Sequence, residues 1–287
     1  MKKSNYVMTV LLGLLLFSDC GKKSDQSNTL QIKGSDTMVN LGQAWAEAYM
    51  KQFPGASIAV TGGGSGTGVT ALVNNTCDIA EVSREMKDSE IKLAESKGIT
   101  PKKIVVALDG IAVFVHPANE ISELTIDQLA DIFTGKIKNW KEVGGRDAKI
   151  VLLSREVNSG THVYFKEHVL RHGKSDSKEE FTPEALMLSS SQAIADEVSQ
   201  NHDALGYYGM GYITEKEKAL KIAKERNSPA VAPTMENVVS NAYPISRPLL
   251  MYTKGEPHGL VKNFIDYALS PAGQEIVKQL DFVPVKN

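Results

Sequence analysis

Cysteine is nearly missing from this chain: Cys20 and Cys77 are the only two in 287 residues. Cys77 lies in the apolar run Cys77-Asp78-Ile79-Ala80 and reads as a small buried side chain. An excess of one charge sign is missing too. The formal net charge is −2 and no block of five like charges occurs, which removes the usual basis for nucleic-acid binding. It does not exclude an anionic ligand, because local dipoles and single arginines decide that, not net charge. There is no internal repeat. The apolar stretch from Val7 to Phe17 is too short to span a bilayer. Nucleotide and nucleophile signatures are also lacking. The glycine loop Gly62–Gly68 has neither the Gly-Lys-Ser/Thr of a P-loop nor G-x-G-x-x-G spacing. Ser35, Ser65 and Ser159 lack a G-x-S-x-G elbow, and no histidine is placed in sequence to activate them.

What is present begins with an export signal. Lys2 and Lys3 precede the apolar stretch, Phe17-Ser18-Asp19-Cys20 follows, and a polar tether runs to Asn28. A leader ending at a Cys resembles a bacterial lipoprotein signal. That resemblance implies cleavage after residue 19, a lipid on Cys20 and extracytoplasmic attachment to a membrane, periplasmic or at the cell surface. Asp19 departs from the small residue usual before such a Cys. A plain secretory peptide and an uncleaved anchor are the alternatives.

Behind the tether, 42% hydrophobic residues suffice for one large or two medium domains. Strand and helix patterns alternate, which predicts an α/β fold. Leu30–Lys33 reads as a strand into Gly34-Ser35-Asp36-Thr37, followed by a helix with Leu41, Ala44, Trp45, Ala48 and Tyr49 on one face and Pro54-Gly55 at its end. Ser57–Thr61 is a strand entering the glycine loop, with a helix over Val69–Asn74. Asp78–Val82 is an apolar run ending at Ser83-Arg84, and Asp88–Lys97 a solvated helix. Ile104–Val115 is a long β-rich run broken at Asp109-Gly110, a candidate crossing between two lobes. Val231–Pro248, with three prolines, resists helix and is the candidate return. Ile150–Leu153 is a strand feeding Arg155, Gly160–Leu170 a helix, and Gly273–Leu280 a closing helix.

Three hydroxyl-bearing segments each open a predicted helix: Gly34-Ser35-Asp36-Thr37, Gly62–Gly68, and Ser154-Arg155 with Ser159-Gly160-Thr161. Each has an ordinary reading as well. The glycine loop alone is equally a tight turn. Ser35, Asp36 and Thr37 are all N-cap residue types. Arg155 alone is equally a surface ion-pair partner. Together they supply hydroxyls, a guanidinium and helix N-termini, the parts of an oxyanion site. His168 and His172, four apart on a helix, read either as a metal pair or as a solvated helix end.

These segments, with Leu124-Thr125 through Trp140, Leu205-Gly206-Tyr207-Tyr208, Ser270–Gln274 and Phe282–Val285, occur in the order found in one family. The chain resembles the periplasmic phosphate-binding proteins, the PstS-type receptors of bacterial phosphate ABC importers, from about Leu30 to Val285. The resemblance implies a two-lobed periplasmic binding protein fold of type II, with two crossovers and a ligand cleft. Lobe 1 is expected over 29–109 and 237–287, and lobe 2 over 110–236. It implies a monomeric, non-enzymatic, extracytoplasmic receptor that passes inorganic phosphate to a membrane permease, without cofactor or metal. Carried over by position, the phosphate contacts are Thr37, the Met38 backbone, Ser65, Ser83, Arg84, Arg155, Ser159, Gly160 and Thr161. One position departs: Arg84 stands where well-known members carry an Asp that accepts a phosphate proton. Another acceptor could serve, or Arg84 could turn away, or selectivity differs; the working expectation is that Arg84 adds positive potential to the site. A receptor for sulfate, molybdate or tungstate, a phosphate-ester hydrolase on the same cradle, and a sensor or adhesin are the other readings.

Overall fold

The computed structural model describes residues 28–285. The expected leader, Cys20 and the tether up to residue 27 lie outside the described residues, as do residues 286–287.

The chain opens with β1 (Thr29–Gly34), a 3-10 turn over Asp36–Met38 and α1 (Val39–Gln52). Helix α1 buries Leu41, Trp45 and Tyr49, and the Trp45 indole N–H donates to the Gly273 carbonyl at 2.8 Å. Next come β2 (Ser57–Thr61), α2 (Ser65–Val73), β3 (Ile79–Val82), α3 (Asp88–Ser96) and the 14-residue β4 (Lys102–Val115). Helix α2 starts at Ser65, inside the glycine loop and four residues before the start expected from sequence. A second set follows: β5 (Glu123–Thr125), α4 (Ile126–Phe133), β6 (Val151–Arg155), α5 (Gly160–Phe165), β7 (Leu186–Leu188), α6 (Ser191–Gln200), β8 (Ala204–Gly209), β9 (Lys218–Ala219), β10 (Lys221–Ala223) and α7 (Met235–Val239). The helix expected through Leu170 leaves α-geometry after Phe165 and ends in a π-helical turn, Lys166–Leu170. Strand β11 (Ser246–Thr253) and helices α8 (Gly259–Leu269) and α9 (Pro271–Gln279) complete the chain.

One continuous sheet joins the two sets in the order β2-β1-β3-β11-β4-β8-β6-β7, with β9 also on β4. Strand β4 is the shared element. It pairs antiparallel with β11 as far as Gly110, then with β8 from Ile111 onward. Asp109-Gly110 therefore does not break the strand; it marks the change of partner. Each half has its own core. One gathers α1, β1, Phe264 and Val277; the other gathers Ile111, Leu129, Trp140, Phe165 and Tyr207. Val238, Tyr243 and Ile245 pack in the second core, although they lie beyond residue 237. Within the proline-rich return, α7 is a helix that the sequence reading did not expect. Thr234 caps it, and Pro233, Pro244 and Pro248 all fall outside its five residues.

Candidate functional site

The three helix-opening segments meet between the two halves. The Ser35 N–H donates to the Glu81 carbonyl at 2.7 Å, which sets the end of β1 against the end of β3. The Ser35 hydroxyl then donates to Ser83 Oγ at 2.9 Å. Ser83 Oγ lies 3.3 Å from Ser65 Oγ, and the Ser83 N–H donates to Ser65 Oγ at 3.0 Å. Across the cleft, Thr37 Oγ1 and Thr161 Oγ1 are 2.9 Å apart. Gly160 lies so close that an added Cβ would stand 2.2 Å from Ser65 Oγ and 2.5 Å from Ser83 Oγ, so no larger residue fits. All five hydroxyl side chains are buried. The α2 and α5 N-termini and the 3-10 turn before α1 meet here; of their first-turn N–H groups, Gly66 is taken by the Asn158 carbonyl, His162 by Ser159 Oγ and Met38 by the Ser35 carbonyl.

Beneath this cradle runs a buried ion pair. Asp109 and Arg247 are direct cross-strand partners on β4 and β11, and both side chains are 0% exposed. Arg247 donates to Asp109 Oδ2 from Nε at 2.9 Å and from Nη2 at 2.8 Å. It also reaches the Ser83 carbonyl at 3.0 Å, Thr161 Oγ1 at 3.0 Å and Thr37 Oγ1 at 3.3 Å. Burial pushes the Asp109 carboxyl up, against the pull of Arg247 and of the Met210 N–H on Oδ1. With three donors on the carboxylate, the pair stands as an ion pair.

Arg155 is buried at the end of β6, as its position after an apolar strand implies. Its Nη1 lies 3.2 Å from Asp36 Oδ2 and donates to Ser191 Oγ at 3.0 Å, while Nη2 donates to the Ser189 carbonyl. The Nε is buried with no protein partner among the described residues. Burial lowers the Arg155 pKa, and Asp36 opposes that. Asp36 Oδ2 also accepts the Ser191 N–H at 2.8 Å, at the start of α6, so it ties the α1 end of one half to the other. A second tie comes from Asn158. Its Nδ2 donates to the Gly63 carbonyl at 2.8 Å, and its carbonyl accepts the Gly66 N–H at 3.0 Å. At Gly64, with φ 94°, a Cβ would stand 2.8 Å from that carbonyl, so glycine is needed for both backbone angle and space.

Of the residues expected at the site, Thr37, Ser65, Ser83, Gly160 and Thr161 converge. Ser159 caps α5, accepting the His162 N–H at 3.4 Å, a bond that leaves the hydroxyl its own hydrogen, and the Met38 N–H closes its own 3-10 turn on the Ser35 carbonyl. Arg84 turns away. Its two terminal nitrogens grip the Glu90 carboxylate at 2.8 and 2.7 Å, and Nη1 also donates to the Glu85 carbonyl. The expectation that Arg84 adds free positive potential is therefore corrected: its charge is matched by Glu90. Burial works to raise the Glu90 pKa, but the Arg84 bonds, the Lys87 N–H and the charges of both residues together outweigh it and hold the carboxyl low. His168 donates from Nδ1 to the Tyr164 carbonyl and stacks on the Tyr164 ring; among the described residues no three His, Cys, Asp or Glu side chains cluster as metal ligands.

Sequence reasoning names Ser35 in a hydroxyl-bearing segment without carrying it over as a contact, and misses Asp36 as a cross-cleft tie and Arg247 altogether. Asp109 was noticed only as a break in an apolar run. A charge inside such a run, with Arg247 in a second run of Pro, Leu and Met, was the one available signal of a buried pair.

A family model described as the PBP superfamily domain matches residues 21–272. The phosphate-binding protein PstS of Pseudomonas aeruginosa PAO1 is 34% identical over 281 residues, covering 92% of this chain and 85% of the relative. PstS of Bacillus subtilis 168 is 35% identical over 308 residues, covering 100% of this chain and 96% of the relative. Among solved structures, a phosphate ABC transporter substrate-binding protein with bound phosphate from Clostridium perfringens superposes with a TM-score of 0.80 at 36% identity, over 90% of this chain and 100% of that one. The chain belongs to the PBP superfamily and, within it, to the PstS phosphate-binding proteins.

Proposed function

We propose that this chain binds one inorganic phosphate in the cradle of Ser35, Thr37, Ser65, Ser83, Gly160 and Thr161 and delivers it to the permease of a phosphate ABC importer. The convergence of five buried hydroxyls from both halves, four at the three helix-opening turns and Ser83 just past the end of β3, carries this reading. Hydroxyls and helix N-termini replace the anion's water shell without adding net charge. Arg155 supports the second-half wall, with its unpartnered Nε as the donor available to the ligand. Each cradle hydroxyl is held by another hydroxyl, a backbone N–H or a guanidinium rather than by a base, which favours capture over hydrolysis.

The halves exchange at Asp109-Gly110 and Ser246-Arg247, and closure brings Thr37 to Thr161 and Asp36 to Ser191. That closed shape is what a permease recognises. The same reading places the protein outside the cytoplasm as a monomer, held to the membrane by a lipid on Cys20. No helix among the described residues is long and apolar enough to cross a membrane. Calorimetric titration with phosphate, sulfate and molybdate tests the function. The expected result is 1:1 phosphate binding, lost in Gly160→Ala, whose methyl would occupy the space of the Ser65 and Ser83 hydroxyls. Equal affinity for sulfate or molybdate would move the function to another oxyanion, and no binding to any would end the reading.

A further inference from the structure

Resting on the phosphate reading, we propose that Arg247 is a positioning residue of the cradle: it fixes which way the Thr37 and Thr161 hydroxyls point, and it does so only when the lobes are closed.

The argument is a count of hydrogens and lone pairs. A threonine hydroxyl has one hydrogen to give and two lone pairs to fill. Thr37 and Thr161 are 2.9 Å apart, so one donates to the other. Arg247 Nη2 has two hydrogens: Asp109 Oδ2 takes one, and the two threonine oxygens share the other, at 3.3 and 3.0 Å. The hydroxyl that accepts from its neighbour and from Arg247 has both lone pairs filled. Its hydrogen is then free only for a third group, and it faces the anion as a donor. Without Arg247 that oxygen has an open lone pair, and the hydroxyl is free to rotate away from the ligand.

The guanidinium is held rigidly enough for this task. Asp109, its direct cross-strand partner, takes two of its hydrogen bonds, and the Ser83 carbonyl takes a third. The Tyr164 ring lies with its centroid 6.0 Å from the guanidinium carbon. Nη2 sits where the three parts of the molecule meet: Thr37 comes from the turn before α1, Thr161 from α5, and Arg247 itself from the return strand. Separating the lobes parts Thr37 from Thr161, so the arrangement exists only in the closed form. Charge balance against Asp109 is the competing explanation for a buried Arg here, and it predicts no role for the threonine contacts.

A paired substitution separates the two. Arg247→Gln with Asp109→Asn removes both charges together and leaves polar partners across the strands. The expected result is a folded protein by circular dichroism whose phosphate affinity, measured by calorimetry, is weaker by about tenfold or more. Binding of phosphate by both proteins alike would overturn the proposal alone. Absence of phosphate binding by the unaltered protein would overturn the functional reading and this one with it. If the paired variant does not fold, the unaltered protein decides. With nitrogen-labelled arginine, the Arg247 side-chain N–H resonances should shift when phosphate is added, and unmoved resonances reject the positioning role.

Discussion

The two faces of β3 make opposite use of charge. On one face, Ile79 packs with the α1 core, Glu81 lies under Gly42 of α1, and Ser83 joins the cradle. On the other, Ala80 and Val82 pack with α2 and α3, and Arg84 reaches Glu90 of α3. Successive side chains on an extended strand point to opposite sides, and in the bend just past the end of β3 Ser83 and Arg84 also part, one to the cradle and the other to Glu90. The guanidinium that does lie under the cradle, Arg247, is 164 residues from Ser83 in sequence. Adjacency in sequence points to Arg84, while the fold brings Arg247 to the Ser83 carbonyl and sends Arg84 to Glu90.

Four experiments would break or sharpen that contrast. The largest effect belongs to Arg247→Ala, which leaves Asp109 buried without its partner. It should cost about 3–5 kcal/mol in chemical denaturation, and a loss below about 1 kcal/mol would mean the pair is not load-sharing in the fold. On the same face of β3, Glu81 is fully buried with Oε1 unpartnered among the described residues, and burial pushes its carboxyl up to about 8. The unfolded carboxyl titrates near the ordinary 4.5, so the folded state holds a proton that the unfolded state has lost across that window. Stability should therefore fall as pH rises through it and level off above 8. Glu81→Gln should flatten this decline, gaining roughly 2–4 kcal/mol at alkaline pH relative to acid, as read from denaturation midpoints. Parallel pH curves for both proteins would place the Glu81 proton elsewhere.

Smaller effects are expected on the opposite face. Arg84→Ala should cost about 1–3 kcal/mol of stability through the lost Glu90 bonds, yet leave phosphate affinity within about threefold. A tenfold loss of affinity would return Arg84 to the site. Last, both arginines near the cradle are matched, Arg247 by Asp109 and Arg155 by Asp36. Raising ionic strength from about 0.01 to about 0.15 M should then change phosphate affinity by less than about threefold. A steep salt dependence would show that an unmatched charge governs capture.

Much of the fold was legible because period and punctuation agreed. The alternating run Ser57–Thr61 and the Trp45 face of α1 both say locally what the fold requires. Local signals also found the hydroxyls and glycines, since Thr37, Ser65 and Gly160-Thr161 sit where helices begin. Three features were not legible. Asp109 with Arg247 is defined by strand register, which no local pattern states. Ser159 and the Met38 N–H serve the backbone first, since a helix start must satisfy its own donors before any ligand. The short α7 escaped because proline density over a window hides five permissive residues.

Strand β4 has a mechanical consequence. It is hydrogen-bonded to β11 on one side of Asp109-Gly110 and to β8 on the other, and its register with β11 slips between Leu249 and Leu250. The carbonyl of Val106, the residue skipped at that slip, is gripped by the Gln274 side chain of α9. The lobes thus share a ribbon rather than a slack linker. Opening and closing becomes torsion of a stiff beam clamped near one end by α9, a collective motion on the microsecond-to-millisecond scale. The spring constant of the receptor is then written partly in its last helix, far from any atom that meets the ligand.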